Sequence, residues 1–164
     1  MGRFVLADHD EMVAEWVQKR IAHFTIDGAY SAIGLVNEQG HLLAGVVYEQ
    51  YTGIDVHVHI AAVPGKRWIS RFWLGEVFRY PFVQLGVHRM TGLVPAKNKA
   101  AQAFDEHLGF KLEGRLREKL PGGDDLLVYG MLKEECRWLG AGYGRQHSST
   151  DNANLSAAET RVSA

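Results

Sequence analysis

Internal disulfides are excluded, because Cys136 is the only cysteine in the chain. A lone thiol fits a reducing compartment. Charge of one sign is also scarce, since 18 Lys and Arg against 19 Asp and Glu leave a formal net charge of -1. So even a balance gives no global basic field to recruit nucleic acid or an anionic membrane surface. No apolar run approaches the ~20 residues that span a bilayer. The start of the sequence has a single Arg3 and no long apolar region, so no secretory signal is expected. A cytoplasmic protein is the resulting expectation. No internal repeat is visible. The composition is globular, with 46% apolar and 23% charged residues over 164 positions, enough for one domain with a buried core. After Gly140 the residues turn to Gly, Ser, Thr, Asn and Ala, which predicts a disordered tail over 140–164 behind a domain of residues 1–139.

Along that domain, Arg3 to Ala7 suits a strand. Asp8 stands three residues before Glu11, the spacing of a capping box, and apolar periodicity predicts a helix over Asp10–Ala22. Tyr30–Asn37, His41–Gln50 and Asp55–Val63 read as an antiparallel meander with turns at Glu38-Gln39-Gly40 and Thr52-Gly53. A helical pattern runs from Trp68 to Gln84, with Pro81 placed to end or kink its last turn. A strand over Arg89–Val94, a helix over Asn98–Leu108 and strands over Lys111–Leu120 and Leu126–Lys133 follow, then a short closing helix over Glu134–Leu139. The order β-α-β-β-β-α-β-α-β-β predicts an α+β fold in three layers, a mixed and mostly antiparallel central sheet flanked by helices.

The stretch Gln84 to Lys133 is the most informative. Asn98 is a natural N-cap for the helix it opens, and Leu108-Gly109-Phe110 ends that helix with a glycine suited to a left-handed cap. A strand, an Asn-opened helix, a Leu-Gly-Phe ending and a hairpin, in that order, resemble the second half of the GNAT acetyltransferase fold. Asn98 to Arg117 is especially similar to the branch that acetylates the N-termini of ribosomal proteins and to its uncharacterised relatives. The resemblance covers residues 3–139 as an order of elements. It implies a sheet splayed between the strand ending near Val63 and the one beginning at Arg89, with acetyl-CoA as acetyl donor and an amine of a small molecule or protein as acceptor. Apolar edge surfaces fit a homodimer.

For the donor, the resemblance implies that the loop before the second helix holds the coenzyme pyrophosphate. Gly65 allows close approach, Lys66 and Arg67 supply cations, and Trp68 and Ser70 stand at the expected helix start, where free N–H groups and the helix dipole favour anions. The bland reading is a surface turn with two solvated cations. A backbone N–H at Ala62 or Val63 is expected to polarise the thioester carbonyl, and Asn98 to contact the coenzyme arm. An ammonium cannot attack, so the amine needs a base. Alternation puts Asp55, His57, His59 and Ala61 on one face of their strand, which makes His57 and His59 candidates, with Glu49 at the end of the preceding strand as another. All three also suit ordinary strand or edge positions. His57 and His59 lack a third metal ligand at a recognisable spacing.

The sequence departs from the family in three places. The phosphate-loop pattern of Gln or Arg, two residues, Gly, one residue, then Gly or Ala is absent, the next glycine after Arg67 being Gly75. Asp105 stands where many GNAT enzymes have a Tyr that protonates the leaving thiolate, and Ala101 where the N-terminal-acetylating branch tends to have a Ser. These departures keep a rival open, a weak or inactive coenzyme A-binding protein that serves in regulation. Glu113, Arg115 and Arg117 fit either an acceptor groove or a salt-bridged solvent face.

Overall fold

The computed structural model describes residues 2–65 and 67–140. Met1, Lys66 and, of the tail expected over 140–164, residues 141–164 lie outside the described residues. The elements are β1 (Arg3–Leu6), α1 (Asp10–Gln18), β2 (Tyr30–Asn37), β3 (Leu42–Glu49), β4 (Asp55–Ala62), α2 (Arg71–Arg79), β5 (Arg89–Pro95), α3 (Lys99–Leu108), β6 (Lys111–Leu120) and β7 (Asp124–Leu132). They build one seven-stranded sheet in the order β1-β2-β3-β4-β5-β7-β6. Every neighbouring pair is antiparallel except β4 and β5. No helix among the described residues is long and apolar enough to cross a membrane.

One face of the sheet is covered by α1. Val13, Ala14 and Val17 pack on Ala32, Val47 and Ala61, and the helix comes this close because Gly34 and Gly45 lie beneath it. A Cβ at Gly45 would stand 2.8 Å from Val17 Cγ2 and 3.0 Å from Val13 Cγ1. Gly45→Val should therefore cost about 1–3 kcal/mol by overpacking. Urea unfolding would show this as a lowered midpoint at unchanged slope, and an unshifted midpoint would contradict the packing.

The opposite face carries the larger core. There Trp73, Phe78 and Phe82 from the α2 region and Leu108 and Phe110 from the end of α3 meet Val46, Tyr48, Met90, Tyr129 and Met131 of the sheet. Gly109 takes the left-handed cap with φ of 112°, as its sequence position suggested.

Several local expectations are corrected. Asp8 does not cap α1: its φ is 61°, His9 holds the cap position, and Asp10 Oδ1 instead accepts from the Ala32 N–H at 2.7 Å. The helix stops at Gln18 rather than Ala22, its last turn tightened by Arg20 and Ile21 N–H groups that both donate to Val17 O. The second helix starts at Arg71, not Trp68, because Ser70 Oγ accepts from the Trp73 N–H at 3.1 Å and fixes the cap.

The α-helix ends at Arg79, two residues before Pro81 as expected, and the path continues as a π turn over Tyr80–Gln84 closed by Leu85 N–H on Tyr80 O. Proline has no N–H to give the carbonyl four residues back. That carbonyl, on Val77, accepts from the buried Tyr48 hydroxyl at 2.7 Å instead. The closing helix over Glu134–Leu139 shrinks to one 3-10 turn at Lys133–Glu135. Beyond it Arg137 and Trp138 reach back to the carbonyls of His107 and Leu108, which the end of α3 leaves without helical donors.

Candidate active site

Register places the site. β4 and β5 pair only over Asp55–Val58 and Arg89–Gly92. Beyond Val58 and Gly92 the strands part, and a cavity of about 350 Å³ opens between them, with Arg20, His59, Ala62, Gly92, Asn98 and Asp105 among its walls. This is the splay expected between the strand ending near Val63 and the one beginning at Arg89. The parting also exposes backbone. The Val63 N–H is donated to Leu43 O at 2.9 Å, and antiparallel pairing alternates. Ile60 and Ala62 therefore aim their N–H groups away from β3, toward the space β5 has vacated. Of the two expected carbonyl-polarising donors, Ala62 can reach the gap and Val63 is already engaged.

On the α1 side of the gap, β3–β4 register sets His59 opposite Val47 and His57 opposite Glu49. His59 Nε2 and Glu49 Oε1 are 2.8 Å apart, with the two side chains only 9% and 4% exposed. Glu49 Oε2 also accepts from the Asp27 N–H at 3.4 Å, and the Phe24 ring stacks on His59 at 3.8 Å. With Glu49 as carboxylate, the shared hydrogen belongs to Nε2 and the imidazole lone pair is left on Nδ1. Glu49 is thus buried and hydrogen-bonded to His59, not a solvated edge charge.

His57 is one step removed. It does not line the cavity, and burial foremost pulls its pKa down, against the upward pull of Asp55. Its neighbours on that face form a separate network in which Thr91 Oγ1 donates to Asp55 Oδ2 at 2.7 Å and Arg89 pairs with Glu113 at 2.8 Å. Arg115 pairs with Asp125, so Glu113 and Arg115 belong to salt-bridged surface, with a bulge between Leu112 and Gly114 breaking the alternation that grouped them. Among the described residues no group of three or more His, Cys, Asp or Glu is arranged to hold a metal ion.

Of the residues expected to hold the donor, Ala62 and Asn98 line the cavity, whereas Gly65, Arg67, Trp68 and Ser70 do not. Gly65 has φ of +71° with open space where a side chain would sit, and Arg67 is exposed. Trp68 stands ahead of the helix, its ring 5.4 Å from that of Phe104 on α3. Ser70 is committed as the cap of α2, whose first N–H groups belong to Arg71 and Phe72. Asn98 caps α3, its carboxamide oxygen accepting from the Ala101 N–H at 3.1 Å. That leaves its NH₂ group as the part able to touch a ligand in the cavity.

Two wall elements went unassigned in the sequence. Arg20, Ile21 and Ala22 read as the end of a helix but form the rim on the α1 side. Asp105 lies on the same helical stripe as Ala101, Phe104 and Leu108, and an acid on an apolar stripe is the signal that marks it. Burial foremost, and then the neighbouring Glu106, push its carboxyl up to about 7.

No protein-family model matches the chain, and no curated protein does. Solved structures do. Mutant forms of the spermidine/spermine N-acetyltransferase of Vibrio cholerae superpose with a TM-score of 0.65 at 16% identity, over 81% of this chain and 96% of that one. The spermidine N-acetyltransferase of Vibrio cholerae in complex with CoA and spermine gives 0.64 at 17% identity, over 84% and 98%. A probable acetyltransferase gives 0.56 at 22% identity, over 65% and 63%. Seven strands, one parallel seam that splays and helices on both faces give this chain the GNAT fold of these solved structures.

Proposed function

We propose that the protein is an N-acetyltransferase that moves the acetyl group of acetyl-CoA directly to a primary amine. The observation that carries this reading is the buried His59–Glu49 pair at the edge of an open β4–β5 gap. An extended thioester arm fits such a gap as an added strand does, taking hydrogen bonds from the vacant N–H groups of Ile60 and Ala62. The Ala62 N–H is then the donor for the developing oxyanion. Gly65, Arg67 and the start of α2 are the proposed diphosphate contacts. His59 takes the proton of the attacking amine, held by Glu49 in the tautomer that presents Nδ1. Attack is direct, and Cys136, half-buried behind the last turn, has no part in it.

For the acceptor, the solved relatives named for spermidine support a polyamine, and the resemblance of Asn98–Arg117 to the ribosomal branch supports a protein N-terminus. Release of free thiol from acetyl-CoA with spermidine, a lysine derivative and N-terminal peptides decides between them. At 100 times its dissociation constant, acetyl-CoA should stabilise the fold by about 2.7 kcal/mol. Arg67→Ala should weaken that binding. Asn98→Ala should also lose the helix cap, about 1 kcal/mol, whereas Asn98→Ser keeps a cap and isolates the ligand contact. Absence of any thermal shift overturns the reading. A shift with no thiol release replaces it by a coenzyme-binding regulator.

A further inference from the structure

We propose that Asp105 is the acid that protonates the departing thiolate, acting from the face of the sheet opposite His59; this rests on the acetyl-transfer reading above. Position is the first argument. Val58 and Gly92 are the last paired residues before β4 and β5 part, and the Asp105 carboxylate lies over that apex, since a Cβ at Gly92 would stand 3.3 Å from Oδ2. The glycine leaves open the space in which a carboxyl and a reacting sulfur meet. Asp105 and His59 wall the same cavity, yet one comes from α3 and the other from the face that α1 covers. A base and an acid on opposite sides of one gap are what the transfer of an acyl group between two heteroatoms requires.

Its surroundings are the second argument. The titratable and charged groups around it are Glu106 on its own helix, Tyr129 on β7, and His59 and Arg20 on the cavity walls. Tyr129 donates its hydroxyl hydrogen to Glu106 Oε1 at 3.0 Å and not to Asp105. No described cation contributes to the Asp105 titration, and burial with Glu106 sets it at about 7. An Asp at the ordinary value would be almost wholly ionised at neutral pH and useless as a donor. This one, raised by burial, keeps a protonated fraction there, and a thiolate whose conjugate acid lies near 8.5 or above accepts its proton downhill.

The atoms balance. The ammonium first passes one proton through His59 to water; the freed amine nitrogen then bonds to the thioester carbon and gives its second proton to His59. The C–S bond breaks, its electron pair stays on sulfur, and sulfur takes the Asp105 proton. The products are the N-acetylamine and free coenzyme A thiol, and exchange with water restores imidazole and carboxyl.

The test compares Asp105→Asn and Asp105→Glu with the parent, by thiol release across pH and by calorimetric titration with acetyl-CoA. In the parent, kcat should fall as pH rises through about 7, because the protonated carboxyl is the active form. Asp105→Asn should lose about a hundredfold or more in kcat, bind acetyl-CoA as the parent does, and lack that descending limb. Asp105→Glu should recover part of both. The loss should shrink with an acetyl thioester of a strongly acidic thiol, which leaves without help. Folding is not at risk from the amide: a buried carboxyl with a raised pKa loses stability as pH rises toward and through about 7, and asparagine escapes that cost. An Asn variant as fast as an active parent, or one whose rate falls only with acetyl-CoA binding, overturns the Asp105 assignment and leaves acetyl transfer standing. A parent that releases no thiol with any amine overturns both.

Discussion

His59→Gln should lower kcat for thiol release by about two to four orders of magnitude while acetyl-CoA still binds. The size follows from what the imidazole supplies, since a primary amine is an ammonium at neutral pH and has no lone pair until a base takes its proton. Glutamine is the informative replacement. His59→Ala would strand the Glu49 carboxylate, only 4% exposed, and breaking a buried pair in that way costs roughly 3–5 kcal/mol in stability. Loss of fold would then be read as loss of chemistry. Gln keeps a donor for Glu49 and removes only the lone pair proposed to take the proton. Raising the pH, which frees more amine without the enzyme's help, should recover part of the rate. Glu49→Gln should do less harm to kcat, because it loosens the orientation of His59 and keeps the base. A fully active His59→Gln enzyme would remove the imidazole from the chemistry.

Phe78→Ala should cost about 3–5 kcal/mol of stability, in a domain whose whole stability is of the order of 5–15 kcal/mol. Phe78 has no exposed surface, and three aromatic rings surround it: Phe82 at 6.4 Å, Phe110 at 6.2 Å and Trp138 at 6.4 Å between centroids. Those rings come from the π turn, the end of α3 and the segment after β7. Removing the central ring therefore takes away a packing contact that all three parts of the chain share. Chemical denaturation measures the loss directly. A cost below about 1 kcal/mol would mean that the cluster relaxes around the void and holds nothing.

How much of this was readable in advance differs by element. The order of elements along the chain and the splayed gap were legible, because alternation, turn residues and the family resemblance agreed. Asn98 and Gly109 were legible as caps, since capping is local chemistry. The helix ends were not. Ile21 and Phe24 continue the apolar period of α1, but they pack on its cluster from the following loop, and periodicity cannot tell those two cases apart. At the widened turn, the Val77 carbonyl finds its donor in the hydroxyl of Tyr48, 29 residues away, a pairing no local pattern reveals. Of the site, His59 and Glu49 were both named as candidates, though as rivals. Their partnership needs the β3–β4 register, which sequence spacing does not fix. Asp105 was visible only as a departure from the family, because burial alone changes its character, and burial is a property of the folded neighbourhood.

The carbonyl that Pro81 leaves without a helical donor has a mechanical consequence. Tyr48 reaches that one oxygen from the middle of the sheet, so any slide or roll of α2 by a single residue would strand a buried acceptor at a cost of roughly 1–3 kcal/mol. A missing hydrogen bond thereby acts as a detent. It indexes the helix against the strands to one setting, and the Ser70 end of α2 inherits the position of its anchored far end.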